Sequence, residues 1–250
     1  MKKLRILFIG NSHTYYNDMP NMVAEKSRKE GYDCEVTMIA HGGWFLEQHV
    51  QEPDVRFNIL YGHYDYVVLQ EHSHPFGPEE KLFDAVRQLN TWIREANAKP
   101  LVYMTWAKKD EPDQQARMTK AFRQAAEEAN ALLATVGELW WEYRKNHPEV
   151  EMYAEDNAHA TREGSEFAAD CIRNTIKESC EHKEKIVKKI KRIKRRINME
   201  GNDMITNLYR LPKLEDRKDT IQIKRAFVGD KGTILNFIKD NFSDSCVYES

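Results

Sequence analysis

The 250-residue sequence is long enough for one α/β domain with an appendage, and 41% apolar and 31% charged residues allow a full hydrophobic core. A formal net charge of −2 gives no chain-wide reason to expect polyanion binding, and no stretch approaches the ~20 apolar residues of a membrane-spanning helix. The four cysteines, Cys34, Cys171, Cys180 and Cys246, lack the close pairing of a zinc site or a disulfide framework, which points to a reducing, cytoplasmic setting.

The first apolar run, Ile6–Ile9, is shorter than the core of a secretory signal and reads as part of an opening β-strand, Leu4–Ile9. Further strands are expected at Cys34–Ile39, Tyr66–Gln70, Pro100–Thr105 and Val150–Ala154. Helices are expected near Met19–Glu30, Glu79–Asn97, Asp113–Ala134, Leu139–Asn146 and Arg162–Ser179. Val86, Leu89, Trp92 and Ile93 show the helical spacing well. Alternating strands and helices of this kind specify a parallel sheet with helices on both faces. The fold class is therefore α/β, a flavodoxin-like three-layer α/β/α architecture with five parallel strands, in which ligands bind beyond the carboxyl ends of the strands.

Composition changes near Cys180, dividing the chain into residues 1–180 and an extension, 181–250. Lys183–Arg196 forms a basic amphipathic helix with Ile186, Ile190, Ile193 and Ile197 along one side. Its expected role is a solvated linker whose isoleucines pack on the preceding domain or a partner, rather than a contact to nucleic acid. Asn198–Asp219 is polar, and a strand-like run, Thr220–Val228, and a helix-like run, Lys231–Phe242, follow it.

Two segments carry residues with chemistry. The first strand runs into Gly10-Asn11-Ser12-His13-Thr14. A serine there can cap a helix, line a phosphate-binding turn or act as a nucleophile, and the last needs a base to take its proton. The second segment is Asp156-Asn157-Ala158-His159, ahead of the helix that opens near Arg162. Aspartate three residues before histidine can hold the Nδ1 proton while Nε2 faces a hydroxyl on another loop, or both can satisfy backbone groups at a helix start.

Together and in this order the two segments resemble the SGNH (GDSL-like) hydrolases, whose first block is Gly-Asp/Asn-Ser after strand one and whose last is Asp-x-x-His before the final helix. The branch most similar to this chain is esterase-like and shares Gly10–Pro20 and Tyr64–Glu71. The resemblance covers roughly the first 180 residues. It implies a serine esterase with Ser12 as nucleophile and Asp156 and His159 completing the triad, working on a small-molecule ester, short-chain or an acylated sugar, without metal or organic cofactor. It also implies an oxyanion hole from the Ser12 N–H, a glycine N–H after strand two and a side-chain amide after strand three. Gly43 is the expected glycine, with Gly42 as the alternative.

The third donor departs from the family pattern, because Gln70-Glu71-His72-Ser73-His74 stands where Gly-x-Asn-Asp is usual. Gln70 is the expected substitute, with the His72 or His74 ring as alternatives, and Glu71 reads as a solvated loop charge. This departure also leaves open a non-catalytic small-molecule or carbohydrate-binding module on the same fold. Trp44, Trp106 and the Tyr15–Tyr16 pair fall on the expected ligand rim, whereas Trp140 and Trp141 are expected to pack. The segment from Ile221 to Ile238 resembles the opening strand and helix of a GNAT acetyltransferase, without the pyrophosphate loop that activity would need.

Overall fold

The computed structural model describes residues 2–200, and the chain divides into two compact units, Met1–Lys189 and Ile190–Ser250. The sheet, the helices that cover it and the candidate site belong to the first. The expected strand and helix between Thr220 and Phe242, and the acetyltransferase-like segment, lie outside the described residues.

Strand β1 (Lys2–Gly10) turns into a short helix α1 (Ser12–Tyr15), a single 3-10 turn (Tyr16–Asp18) and α2 (Met19–Lys29). Then come β2 (Tyr32–Ala40), α3 (Leu46–Gln51), α4 (Pro53–Tyr61), β3 (Tyr66–Gln70), α5 (Glu79–Glu95) and β4 (Lys99–Tyr103). The described part closes with α6 (Gln114–Glu128), β5 (Leu132–Ala134), α7 (Val136–Asn146) and α8 (Arg162–Glu200). All neighbouring strands pair in parallel in the order β2-β1-β3-β4-β5. The order reverses direction between β1 and β3, the place where open sheets of this kind leave a crevice at their carboxyl edge.

The alternation of side chains along each strand builds the three layers. Leu4, Ile6 and Phe8 of β1, Tyr66 and Val68 of β3, and Leu101 and Tyr103 of β4 share one core with Met19 and Val23 of α2, Trp140 of α7 and Ile172 and Ile176 of α8. Leu7, Ile9, Val67, Leu69 and Val102 point the other way, into a second core with Leu46, Ile59, Leu89, Ile93 and Phe122 from α3 to α6. Every residue of β3 is buried, as the central strand of a doubly covered sheet requires. Each fully buried aliphatic or aromatic side chain in these layers contributes about 1.5–3 kcal/mol.

The fifth strand is not the one expected. Leu132–Ala134 pairs with Leu101–Tyr103, although Ala131-Leu132-Leu133-Ala134 has helical propensity and continues the α6 pattern. The break comes from Asn130, whose φ of +46° is the left-handed conformation that ends helices. Val150–Ala154 instead makes a single antiparallel bridge, Tyr153 to Ala160, and forms one arm of a narrow loop. Helices α3 and α4 were not expected either. Phe57 and Tyr61 of α4 face solvent and dilute its apolar stripe, and the break between the two helices falls at Glu52, extended because Pro53 follows it.

The basic segment beginning at Lys183 lies within α8, and the buried face of that helix reaches Cys180, its last core residue. Ile186, expected to pack, is exposed. Among the described residues, no helix is long and apolar enough to cross a membrane.

Candidate active site

At the carboxyl edge, the turn after β1 is assembled by Asn11. Its side chain accepts from the His13 N–H at 3.0 Å and so caps α1, while its Nδ2 donates to the Trp44 carbonyl at 2.9 Å. The second bond ties the turn carrying Ser12 to the Gly42–Gly43 turn after β2. His49 of α3 bonds the Gly10 carbonyl from the other side at 2.8 Å. Gly10 leaves no room for a side chain, since a Cβ there would lie 2.5 Å from both Gln70 Oε1 and Thr14 Oγ1.

The candidate base, His159, comes from a tight loop before α8. The Ala154 N–H donates to the His159 carbonyl at 2.8 Å and the Thr161 N–H to the Met152 carbonyl at 2.9 Å, which leaves Asp156 and His159 at the tip. Asn157 at that tip is left-handed, with φ of +58°. Asp156 Oδ1 accepts the backbone N–H groups of Ala158 and His159, and its Oδ2 lies 2.5 Å from His159 Nδ1. Partial burial opposes ionisation of Asp156, but the His159 ring and these two N–H groups outweigh it and hold the carboxyl at about 2. His159 Nε2 then lies 2.7 Å from Ser12 Oγ, across 147 residues of sequence. With the Nδ1 proton on the aspartate side, Nε2 is the acceptor for the serine hydroxyl.

The residues expected as oxyanion donors are placed unequally. Gly43 is exposed and left-handed, with φ of +72° and open space where a side chain would be, so its backbone is accessible. Gly42 sits under Tyr15, whose hydroxyl would be 3.0 Å from a Cβ at that position. His72 stacks on Phe45 with centroids 4.3 Å apart, and its Nδ1 lies 3.1 Å from the Pro75 carbonyl.

Gln70 has a different task from the one expected. It is fully buried; its Oε1 accepts from the Asn11 N–H at 2.8 Å and from Thr14 Oγ1 at 2.9 Å, while its Nε2 donates to the Glu71 carbonyl. The carboxamide is committed to holding the Ser12 turn and is not aimed at the site.

Glu71 is not a solvated charge but is buried, accepting from the Leu46 N–H at 3.3 Å and the His72 N–H at 2.6 Å. Burial pushes its carboxyl up to about 7 against the pull of those bonds. Trp106, expected on the rim, is buried too. It stacks on Trp140 at 3.8 Å and 7°, and its Nε1 donates to the Ala158 carbonyl at 2.8 Å, which fixes the Asp156–His159 loop from below. Tyr16 does reach the rim and is exposed. His13 and His74 sit beside the base with ring centroids 5.1 Å apart. Burial keeps both neutral, His74 at about 4 and His13 well below its ordinary value.

This architecture recurs in known structures. A protein from Slackia heliotrinireducens assigned to the SGNH hydrolases is 31% identical, aligns over 70% of this chain and 100% of its own length, and superposes with a TM-score of 0.62. The chain belongs to the SGNH hydrolase family. A DUF4886 family protein from Bacteroides uniformis shares the fold at 19% identity over 70% of this chain and 83% of its own, with a TM-score of 0.59. So does the psychrotrophic esterase EstA from Pseudoalteromonas, in a structure inhibited by monoethylphosphonate, at 16% identity over 71% and 98%, with a TM-score of 0.55. No family model matches the sequence, and no curated protein does.

Proposed function

We propose that the chain is a serine esterase that hydrolyses small carboxylic esters, of short-chain or O-acetyl type, through a covalent acyl-enzyme. The observation that carries this reading is the unbroken relay from Ser12 Oγ through His159 to Asp156, with both contacts at hydrogen-bonding distance. Membership of a hydrolase family and the esterase-like relatives support it.

In this reading His159 Nε2 takes the Ser12 proton as Oγ attacks the ester carbonyl carbon. The developing oxyanion is received by the Ser12 and Gly43 N–H groups, with Gly42 as the alternative. The imidazolium then returns its proton to the leaving alcohol oxygen as the C–O bond breaks. Water repeats the cycle, giving the carboxylic acid and free Ser12. Every step uses protein groups, so no metal or organic cofactor enters. Fixed oxyanion donors of this kind typically contribute about 3–4 kcal/mol.

The test is hydrolysis of p-nitrophenyl acetate, its longer homologues and acetylated sugars by wild type and Ser12→Ala, together with mass spectrometry after treatment with an alkylphosphonate ester. Turnover and a phosphonyl adduct, both lost in Ser12→Ala, are expected. Equal inactivity of the two proteins, without an adduct, would replace this reading by a binding module on the same fold.

A further inference from the structure

The base is gripped on both sides. Tyr16 lies against the His159 ring with centroids 4.2 Å apart and planes 16° apart, and His13 lies against it at 4.7 Å and 30°. An imidazole has room for one stacked ring on each face, so the two take opposite faces.

The chain is built to place them there. Tyr16 follows Ser12 by four residues, so the single turn of α1 brings the serine hydroxyl and the tyrosine ring to the same side. The next residue, Asn17, is left-handed, with φ of +55°. Its Nδ2 donates to the Ala160 carbonyl at 3.0 Å and to Ser165 Oγ at 2.9 Å, stapling the Tyr16 turn to the residue after His159. His13 is held from behind by Trp106, at 5.6 Å.

We infer that Tyr16 is a positioning residue for ester hydrolysis: braced by Asn17 and opposed by His13, it keeps the His159 ring in the one plane that reaches both Ser12 and Asp156, and its face stabilises the imidazolium. This rests on the esterase reading of the site. The charge on His159 appears twice per turnover, when it takes the proton of Ser12 and when it takes that of the attacking water. An aromatic face against a cation is attractive, the more so where water is partly excluded. The titratable groups facing His159 are Asp156 on its own loop, His13 on α1, Tyr16 and, from the loop after β3, His74. The two histidines are neutral, so the aspartate and the tyrosine face are the features that favour the cation.

The experiment compares wild type, Tyr16→Phe, Tyr16→Leu and Asn17→Gly, each checked by thermal melting. It reads the pH titration of the His159 Cε1–H signal by NMR and, separately, kcat and KM for p-nitrophenyl acetate against pH. Tyr16→Leu is expected to lower the titration midpoint and the acid limb of kcat/KM by about half a pH unit. It is also expected to lower kcat about tenfold with KM nearly unchanged. Tyr16→Phe should retain wild-type values, and Asn17→Gly should move in the direction of Tyr16→Leu by a smaller amount. A folded Tyr16→Leu protein with midpoint and kcat as in wild type, or a Tyr16→Phe protein as impaired as Tyr16→Leu, would overturn the inference. Failure of the esterase reading would show instead as equal inactivity of wild type and Ser12→Ala, whereas the midpoint needs no turnover.

Discussion

The loops on one rim of the sheet treat their polar side chains in opposite ways. After β1, and at the tip before α8, Ser12, His159 and Asp156 are hydrogen-bonded to one another and remain partly open. After β3, Gln70 and Glu71 are buried and turn theirs onto backbone and neighbouring loop atoms: Asn11, Thr14, Leu46 and His72. In the proposed function the first arrangement exchanges a proton with a bound ester, and the second holds the turns that carry it. Adjacent loops at a crevice therefore divide chemistry from scaffold, and burial separates the two roles better than residue type does.

The sharpest way to break this division is His159→Ala. It should cost about 10⁴-fold or more in kcat/KM with a much smaller change in melting temperature, because the ring, 21% exposed, sits at the tip of a loop outside both hydrophobic cores. Asp156→Asn comes next, with an expected loss of about 10³–10⁴-fold, since an amide no longer selects the tautomer whose Nε2 accepts from Ser12. Both are measured by steady-state hydrolysis beside a thermal melt.

Gln70→Ala should show the opposite balance. Removing the carboxamide leaves the buried Asn11 N–H and Thr14 hydroxyl without their acceptor, at about 1–3 kcal/mol each. Denaturant unfolding should report that loss, and activity should fall as the Ser12 turn shifts. A Gln70→Ala protein as stable as wild type would undo the comparison.

The smallest effect concerns pH. Burial raises the Glu71 carboxyl from about 4.5 when unfolded to about 7 when folded. The folded state thus binds more protons between those values, so this group's contribution to stability is full below pH 4.5 and is lost as pH rises to about 7. Glu71→Gln, which keeps an acceptor for Leu46 and His72, should remove that slope and stabilise the protein by about 3 kcal/mol at pH 8. Thermal melts at pH 5 and pH 8 decide it; an unchanged slope in Glu71→Gln would mean that the carboxyl is not the titrating group.

Much of the fold was legible because two periodicities dominate it: alternation along β1, β3 and β4, and the three-to-four-residue spacing of α2, α5 and α6. It failed where local preference and tertiary pairing disagree. Leu132–Ala134 follows a helix and is made of helix formers, yet the open edge of β4 takes it as a strand. Val150–Ala154 looks like a strand and is used as the arm of a loop.

The site divides in the same way. Ser12, Asp156 and His159 could be singled out because their two segments, in this order, resemble the first and last blocks of the SGNH hydrolases, and the structure brings the three together. Gln70, Glu71 and Trp106 could not be read correctly, since an amide, a carboxylate or an indole has the same formula facing substrate or facing backbone. The sequence by itself determined the layered α/β architecture, which follows from short-range spacing along the chain, and, through its resemblance to the SGNH hydrolases, the identities of the groups that meet at its rim. Only the tertiary structure decided which strand closes the sheet, that Gln70 braces the Ser12 turn, and that Tyr16 and His13 enclose His159. Those outcomes depend on what lies across the crevice, and burial there fixes the use of each polar group.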